Sequence, residues 1–174
     1  REQFRALEKL LELYGQDHRF MAADVCNIHR IWLSPIYAWA GQYRQVNLTK
    51  GDFPFAAPRQ IPRLMAGFER GPLRKYTPCH FETTEKVVRG IAVVHTELIL
   101  IHPFREGNGR AARLLAMLMA SQAGLPLLDF GGLRGRRRKE YFAAVQAGLD
   151  RNYKPMEEIF SAVVEKALLS LEKR

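Results

Sequence analysis

The chain lacks a long uninterrupted apolar run. Its longest hydrophobic stretches are broken by charge or histidine, so a membrane-spanning helix is not expected. No secretory signal pattern opens it. Cysteine is scarce: Cys26 and Cys79 are the only two, too few for a disulfide framework, and they point to a reduced, cytoplasmic setting. Internal repeats and low-complexity tracts are absent. Acidic residues are also in short supply, 18 against 27 Lys and Arg, for a net charge of +9. Part of that excess sits in Arg134-Gly135-Arg136-Arg137-Arg138-Lys139. No aromatic residues interleave that run for base stacking, so it reads as a solvated helix start and nucleic acid is not an expected partner. Such a surface does attract smaller anions and acidic proteins.

What remains is an ordinary globular composition, 47% hydrophobic over 174 residues, enough to bury one core. The chain opens on Arg1 rather than methionine, so it is read as a single domain that can be a fragment of something longer. Apolar spacing predicts a mostly helical protein: helices over 2–14, 22–39, 60–74, 82–101, 108–123, 136–150 and 156–171, with a turn-rich linker at 124–135. Residues 45–58 break the pattern. Val46, Leu48, Lys50-Gly51-Asp52 and Phe53-Pro54-Phe55 predict a hairpin or extended flap.

Chemistry concentrates in His102-Pro103-Phe104-Arg105-Glu106-Gly107-Asn108-Gly109-Arg110, followed by Arg113. An apolar run precedes it and an amphipathic helical pattern follows, the layout of a loop between two buried helices whose second helix offers its N-terminal N–H groups to an anion. Gly107 and Gly109 let the backbone approach a ligand. Arg110 and Arg113 share one helix face and can grip two oxygens of a polyphosphate. Glu106 is a hard oxygen ligand suited to holding Mg²⁺ against phosphate. His102 has the ordinary pKa of a general base at neutral pH. No covalent nucleophile is offered, so direct transfer to an outside hydroxyl is expected. The plainer alternative is a helix–loop–helix corner with solvated arginines, which accounts for any one of these residues but poorly for the set.

The run resembles the motif of the Fic family, His-x-Phe-x-(Asp/Glu)-Gly-Asn-Gly-Arg-x-x-Arg, and His102, Phe104, Glu106, Gly107, Asn108, Gly109, Arg110 and Arg113 meet each defined position. Ile28-His29-Arg30, Ile36-Tyr37 and Trp39-Ala40-Gly41-Gln42-Tyr43-Arg44 resemble the segment leading into that family's flap, and residues from about 10 to 164 read like its core. The resemblance implies an all-α Fic-type bundle with a short β-hairpin flap beside the active-site loop. It also implies an activity, protein adenylylation: AMP passes from Mg-ATP to a Ser, Thr or Tyr hydroxyl of a target protein and pyrophosphate is released. His102 then serves as base, Glu106 helps hold Mg²⁺, and residues 107–109 line the anion hole. Arg110 and Arg113 engage the β- and γ-phosphates, and Phe104 anchors the loop. Doc-like kinases of the family have lysine where Gly109 stands, which argues against phosphate transfer. Phosphocholine transfer, removal of AMP, and a non-catalytic nucleotide- or nucleic-acid-binding module of the same fold stay open as alternatives.

By the same resemblance the adenine pocket involves the helix after the linker, where Tyr141 and Gln146 fall, and the flap residues Leu48, Thr49, Lys50, Gly51, Asp52 and Phe53 dock an extended target segment. His95 and His29 are expected to be packed, hydrogen-bonded histidines rather than metal ligands, because no cysteine or carboxylate stands at ligand spacing from His95. Trp39 and Tyr43 are read as core and flap supports. Family members are commonly held inactive by a glutamate on an inhibitory helix. Ser161 to Glu165 fits the first half of that pattern, but Lys166 replaces the expected Gly or Asn, so the segment reads as an ordinary core helix. The inhibitory element is then expected on a missing segment or a separate antitoxin chain.

Overall fold

The computed structural model describes residues 2–173. Its helices are α1 (Glu2–Leu13), α2 (Ala22–Leu33), α3 (Ile61–Phe68), α4 (Arg74–Tyr76), α5 (Thr84–Ile101), α6 (Asn108–Gln122), α7 (Arg136–Ala147) and α8 (Lys154–Glu172). A hairpin of β1 (Thr49–Lys50) and β2 (Phe53–Pro54) completes it, paired antiparallel with Thr49 opposite Pro54 and Lys50 opposite Phe53. The protein is thus a mostly helical bundle carrying one short hairpin.

The bundle is built around α5. Its sequence is apolar on nearly every face, and Val87, Val88, Ile91, Ala92, Val94, Leu98 and Ile99 are all buried. A helix that is hydrophobic all round must be surrounded, and α6, α7 and α8 pack against it. Thr83 caps its start by accepting from the Lys86 N–H at 3.2 Å. Its other end is fixed by Pro103, which disfavours helical geometry at the residue before it. His102 takes the left-handed conformation, φ 52° and ψ 58°, and its N–H closes the last turn onto the Leu98 carbonyl at 3.0 Å. The corner between α7 and α8 crosses α5 closely at Gly148, where a Cβ would lie 2.3 Å from Thr96 Cγ2.

Two elements differ from expectation. Helix α2 ends at Leu33 rather than 39. Pro35 has no N–H to continue the ladder and its ring crowds the preceding turn, so the chain passes into successive turns through Gly41. The segment expected as one helix over 60–74 is α3, then a wide π-type turn at Glu69–Leu73 containing Pro72, then α4. The missing Pro72 N–H accounts for the local widening.

Candidate active site

The loop from His102 to Gly107 joins α5 to α6 and is pinned from three sides. Phe104 is fully buried and stacks on the His29 ring, centroids 3.8 Å apart and 19° from parallel. Full burial of such a side chain is worth about 1.5–3 kcal/mol. Asn108 closes the loop on itself: Oδ1 accepts from the Phe104 N–H at 2.8 Å and Nδ2 donates to the Phe104 carbonyl at 2.7 Å. Its side chain is spent there, so toward a ligand Asn108 can present only its backbone N–H.

His29 clamps the loop from α2. The Gly41 N–H donates to Nδ1 at 2.8 Å, so the ring proton sits on Nε2, which donates to the Glu106 carbonyl at 2.8 Å. Burial holds this imidazole below its ordinary pKa and keeps it neutral. Gly107 follows at φ 82°, and a Cβ there would lie 2.4 Å from Leu33 Cδ1 and 3.2 Å from His29 Nε2. Only glycine fits both the backbone and the space. Gly107 is also the N-cap of α6. The first N–H groups of that helix, on Asn108, Gly109 and Arg110, have no acceptor one turn back and face the loop with the positive end of the helix dipole.

The third clamp is Arg44, 3% exposed. Its N–H donates to the Pro103 carbonyl at 2.9 Å. Its guanidinium donates to the His102 carbonyl at 2.7 Å, the Val46 carbonyl at 2.9 Å and the Ala56 carbonyl at 2.7 Å. One side chain therefore ties both feet of the flap to the loop. Phe55, just past the hairpin, completes the link by stacking on the His102 ring, 3.8 Å between centroids and 11° from parallel.

His102 stands at the centre of the site. Its Nδ1–H donates to the Ile99 carbonyl at 3.2 Å, leaving Nε2 as the acceptor. Burial, then the positive charges of Arg44 and Lys50, lower its pKa to about 4 against opposing contributions from the Ile99 carbonyl and Glu106. The imidazole is neutral at pH 7 with its tautomer fixed by a backbone carbonyl.

Two cavities meet at this residue. The larger, about 610 Å³, runs from His102 and Arg113 between the flap and α7 to Phe160. Tyr141, Phe142 and Gln146 stand on its α7 wall. The smaller, about 280 Å³, is a polar bowl formed by residues 105–110 with Lys50, His102 and Arg113. Four residues line both: Lys50, His102, Gly109 and Arg113. Arg110 and Arg113 both face the bowl, and the Arg110 guanidinium lies 5.5 Å from the Trp32 ring centroid. Glu106 is exposed at its rim. Of the flap residues singled out in the sequence, Lys50, Gly51 and Phe53 line the larger cavity, whereas Leu48, Thr49 and Asp52 do not. Leu48 instead accepts from the Phe55 N–H at 3.0 Å.

His95 is packed and hydrogen-bonded. Its Nδ1–H donates to the Ala112 carbonyl at 3.4 Å and Nε2 accepts from the Tyr141 hydroxyl at 2.7 Å. Tyr141 thus spends its hydroxyl inward while its ring borders the cavity. Trp39 stacks on Tyr37 at 4.4 Å, and Tyr43 lies against Phe104 at 6.3 Å. Among the described residues no cluster of three His, Cys, Asp or Glu side chains is placed to hold a metal, and no helix is long and apolar enough to cross a membrane. Glu165 lies on the groove between α5 and α8, with Arg89 and Lys154, whereas Arg113 lines other cavities. Sequence spacing did not disclose the roles of His29 and Arg44, because their partners lie 77 and 58 residues away. The one signal was the resemblance of the segments holding His29 and Arg44 to the stretch that leads into the flap.

Residues 19–120 match the sequence profile of the Fic/DOC family. The probable protein adenylyltransferase Fic of Escherichia coli (strain K12) is 32% identical over 145 residues, covering 80% of this chain and 68% of that protein. The probable protein adenylyltransferase y4lH of Sinorhizobium fredii is 31% identical over 100 residues, 58% of this chain and only 52% of that protein. Among solved structures, the N-terminal Fic domain of a cell filamentation protein from Bartonella quintana with bound ADP superposes with a TM-score of 0.71 at 26% identity, over 93% of this chain and 80% of that one. A Fic domain containing signaling protein from Bacteroides thetaiotaomicron shares the fold, with a TM-score of 0.76 over 97% of this chain and 68% of that one, at 19% identity. With the profile match spanning more than half of the sequence, the chain belongs to the Fic/DOC family.

Proposed function

We propose that the chain is a protein adenylyltransferase, moving AMP from ATP to a Ser, Thr or Tyr hydroxyl of a target protein and releasing pyrophosphate. The observation that carries this reading is the neutral, tautomer-fixed His102 at the junction of a nucleoside-sized cavity and a bowl capped by a helix N-terminus. In this reading adenine enters the larger cavity against the Tyr141 ring and Gln146. The phosphates extend into the bowl, where the N–H groups of Asn108, Gly109 and Arg110 and the guanidinium groups of Arg110 and Arg113 meet their charge. The flap edge holds an extended target segment by strand pairing, so that its hydroxyl reaches His102.

The hydroxyl oxygen then bonds to the α-phosphorus as its proton passes to His102 Nε2. The bond from that phosphorus to the oxygen bridging the β-phosphate breaks, and the electron pair leaves with pyrophosphate. The protein's part is positioning and charge stabilisation. Glu106, a single exposed carboxylate beside the bowl, suits Mg²⁺, which is commonly held by one or two carboxylates together with substrate phosphates. Bound there, Mg²⁺ would neutralise phosphate charge. The larger chemistry choice rests on Gly109, which leaves the α6 N-terminus open where Doc-like kinases carry lysine. An inhibitory glutamate, supplied by a helix elsewhere in a longer chain or by an antitoxin, would act on Arg113.

The test separates binding from transfer. His102→Ala is expected to bind ATP as the parent does while transfer to protein drops by about 10²–10⁴-fold. Arg113→Ala is expected to weaken ATP binding. Undiminished transfer by His102→Ala would remove the assignment.

A further inference from the structure

Of the four residues shared by the two cavities, His102, Gly109 and Arg113 belong to the motif segment, and the fourth comes from the flap: Lys50. Its ammonium rests 3.6 Å from the centroid of the Phe142 ring on α7, and the Arg138 guanidinium lies 5.6 Å from the same centroid. Two cations thus share one aromatic ring, and among the described residues neither forms an ion pair with a carboxylate. Desolvation and the charge of Arg138 both work against the Lys50 ammonium where it rests. Lys50 also acts electrostatically on His102, where it opposes protonation. A ring quadrupole is a weak substitute for an anion, whereas hydrogen bonds to ionised groups are roughly twice as strong as neutral ones.

We propose that Lys50 is a nucleotide-phosphate ligand carried by the flap, which leaves the Phe142 ring for the polyphosphate when ATP enters. The inference rests on the adenylyltransferase reading of this groove and assigns one more cation to it. Lys50 reaches the phosphate chain from the side opposite the α6 N-terminus. Nucleotide occupancy then pulls β1 toward the bowl and presents the flap edge beside His102, so that ATP binding and target docking become coupled. Arg138 stays with Phe142 and repels a returning ammonium.

The test is binding of Mg-ATP and of adenosine to the parent protein, Lys50→Met, Lys50→Arg and Arg113→Ala. Lys50 is exposed on a two-residue strand, so Lys50→Met is expected to melt as the parent does. Lys50→Met should bind ATP about tenfold more weakly, the loss of one charged contact, while adenosine affinity stays unchanged and Lys50→Arg recovers most of the loss. The salt dependence of ATP binding should be shallower in Lys50→Met. Equal ATP affinity in Lys50→Met and parent, with Arg113→Ala weakened, would overturn the role of Lys50 and leave the groove reading intact. Equal losses for ATP and adenosine would overturn it too, since they mark flap packing. A parent protein that binds neither ATP nor adenosine would remove the groove reading and this inference together.

Discussion

At the scale of single residues the site depends on imidazoles kept neutral. His95 and His102 are both held near pKa 4 by burial, well below the ordinary value of 6.5. In the unfolded chain each binds its proton at a higher pH than in the folded protein. The folded state is therefore favoured in full above about pH 6.5 and loses that contribution as pH falls toward 4. Urea midpoints recorded from pH 7.5 to 4 should fall across that window, and the drop should be smaller in His95→Gln, which keeps polarity without titrating. The base form of His102 persists down to about pH 4, so the transfer rate should be flat on its acid side from pH 7 to about 5. A rate that halves near pH 6.5 would show an imidazole in its ordinary environment. Gly107 is the other residue with no substitute. Gly107→Ala must adopt a left-handed backbone, a cost of about 1–2 kcal/mol, and must also displace Leu33. A loss of stability above about 2 kcal/mol is expected in denaturant titration, with ATP binding lost.

At the scale of elements, the flap and the loop behave as one piece because Arg44 joins them. Arg44→Ala would leave the carbonyls of His102, Val46 and Ala56 without their donor. The three bonds are part-buried, so water replaces some of them; with about 1–3 kcal/mol for a group left unmet, a destabilisation of about 3 kcal/mol is expected. Hydrogen exchange should quicken from 45 to 58 while α5 stays protected. Little of this joint was legible in the sequence. The loop motif was readable because its residues lie within one turn and one helix start, where spacing fixes geometry. The hairpin was readable from Lys50-Gly51-Asp52 and its flanking aromatics. The clamps by His29 and Arg44 were not, because they act across separations that only the packed fold defines. The early end of α2 was misjudged because apolar residues continue in helical phase through Trp39, and Pro35 outweighs that pattern. Nothing in the spacing of Phe142 or Phe55 tied them to Lys50 or His102.

At the scale of the whole molecule, hydrophobic periodicity gave the helices, the resemblance implied the bundle, and a nearly all-apolar α5 explains why the other helices surround it. The net charge of +9 has its consequence here. Lys50, Arg110, Arg113, Arg134 and Arg138 all border the two cavities, so the basic excess is directed in part at the groove. Raising salt from 0.05 to 0.5 M should weaken ATP binding by screening these charges, while adenosine binding is unaffected. The groove is expected to transfer AMP rather than phosphate. The most direct test is label transfer from Mg-ATP to protein, with α-phosphate label and γ-phosphate label run side by side on bacterial lysate and on the protein itself. The predicted result is protein-bound label from the α position only, lost in His102→Ala. Protein-bound label from the γ position only would make the chain a kinase and contradict the account.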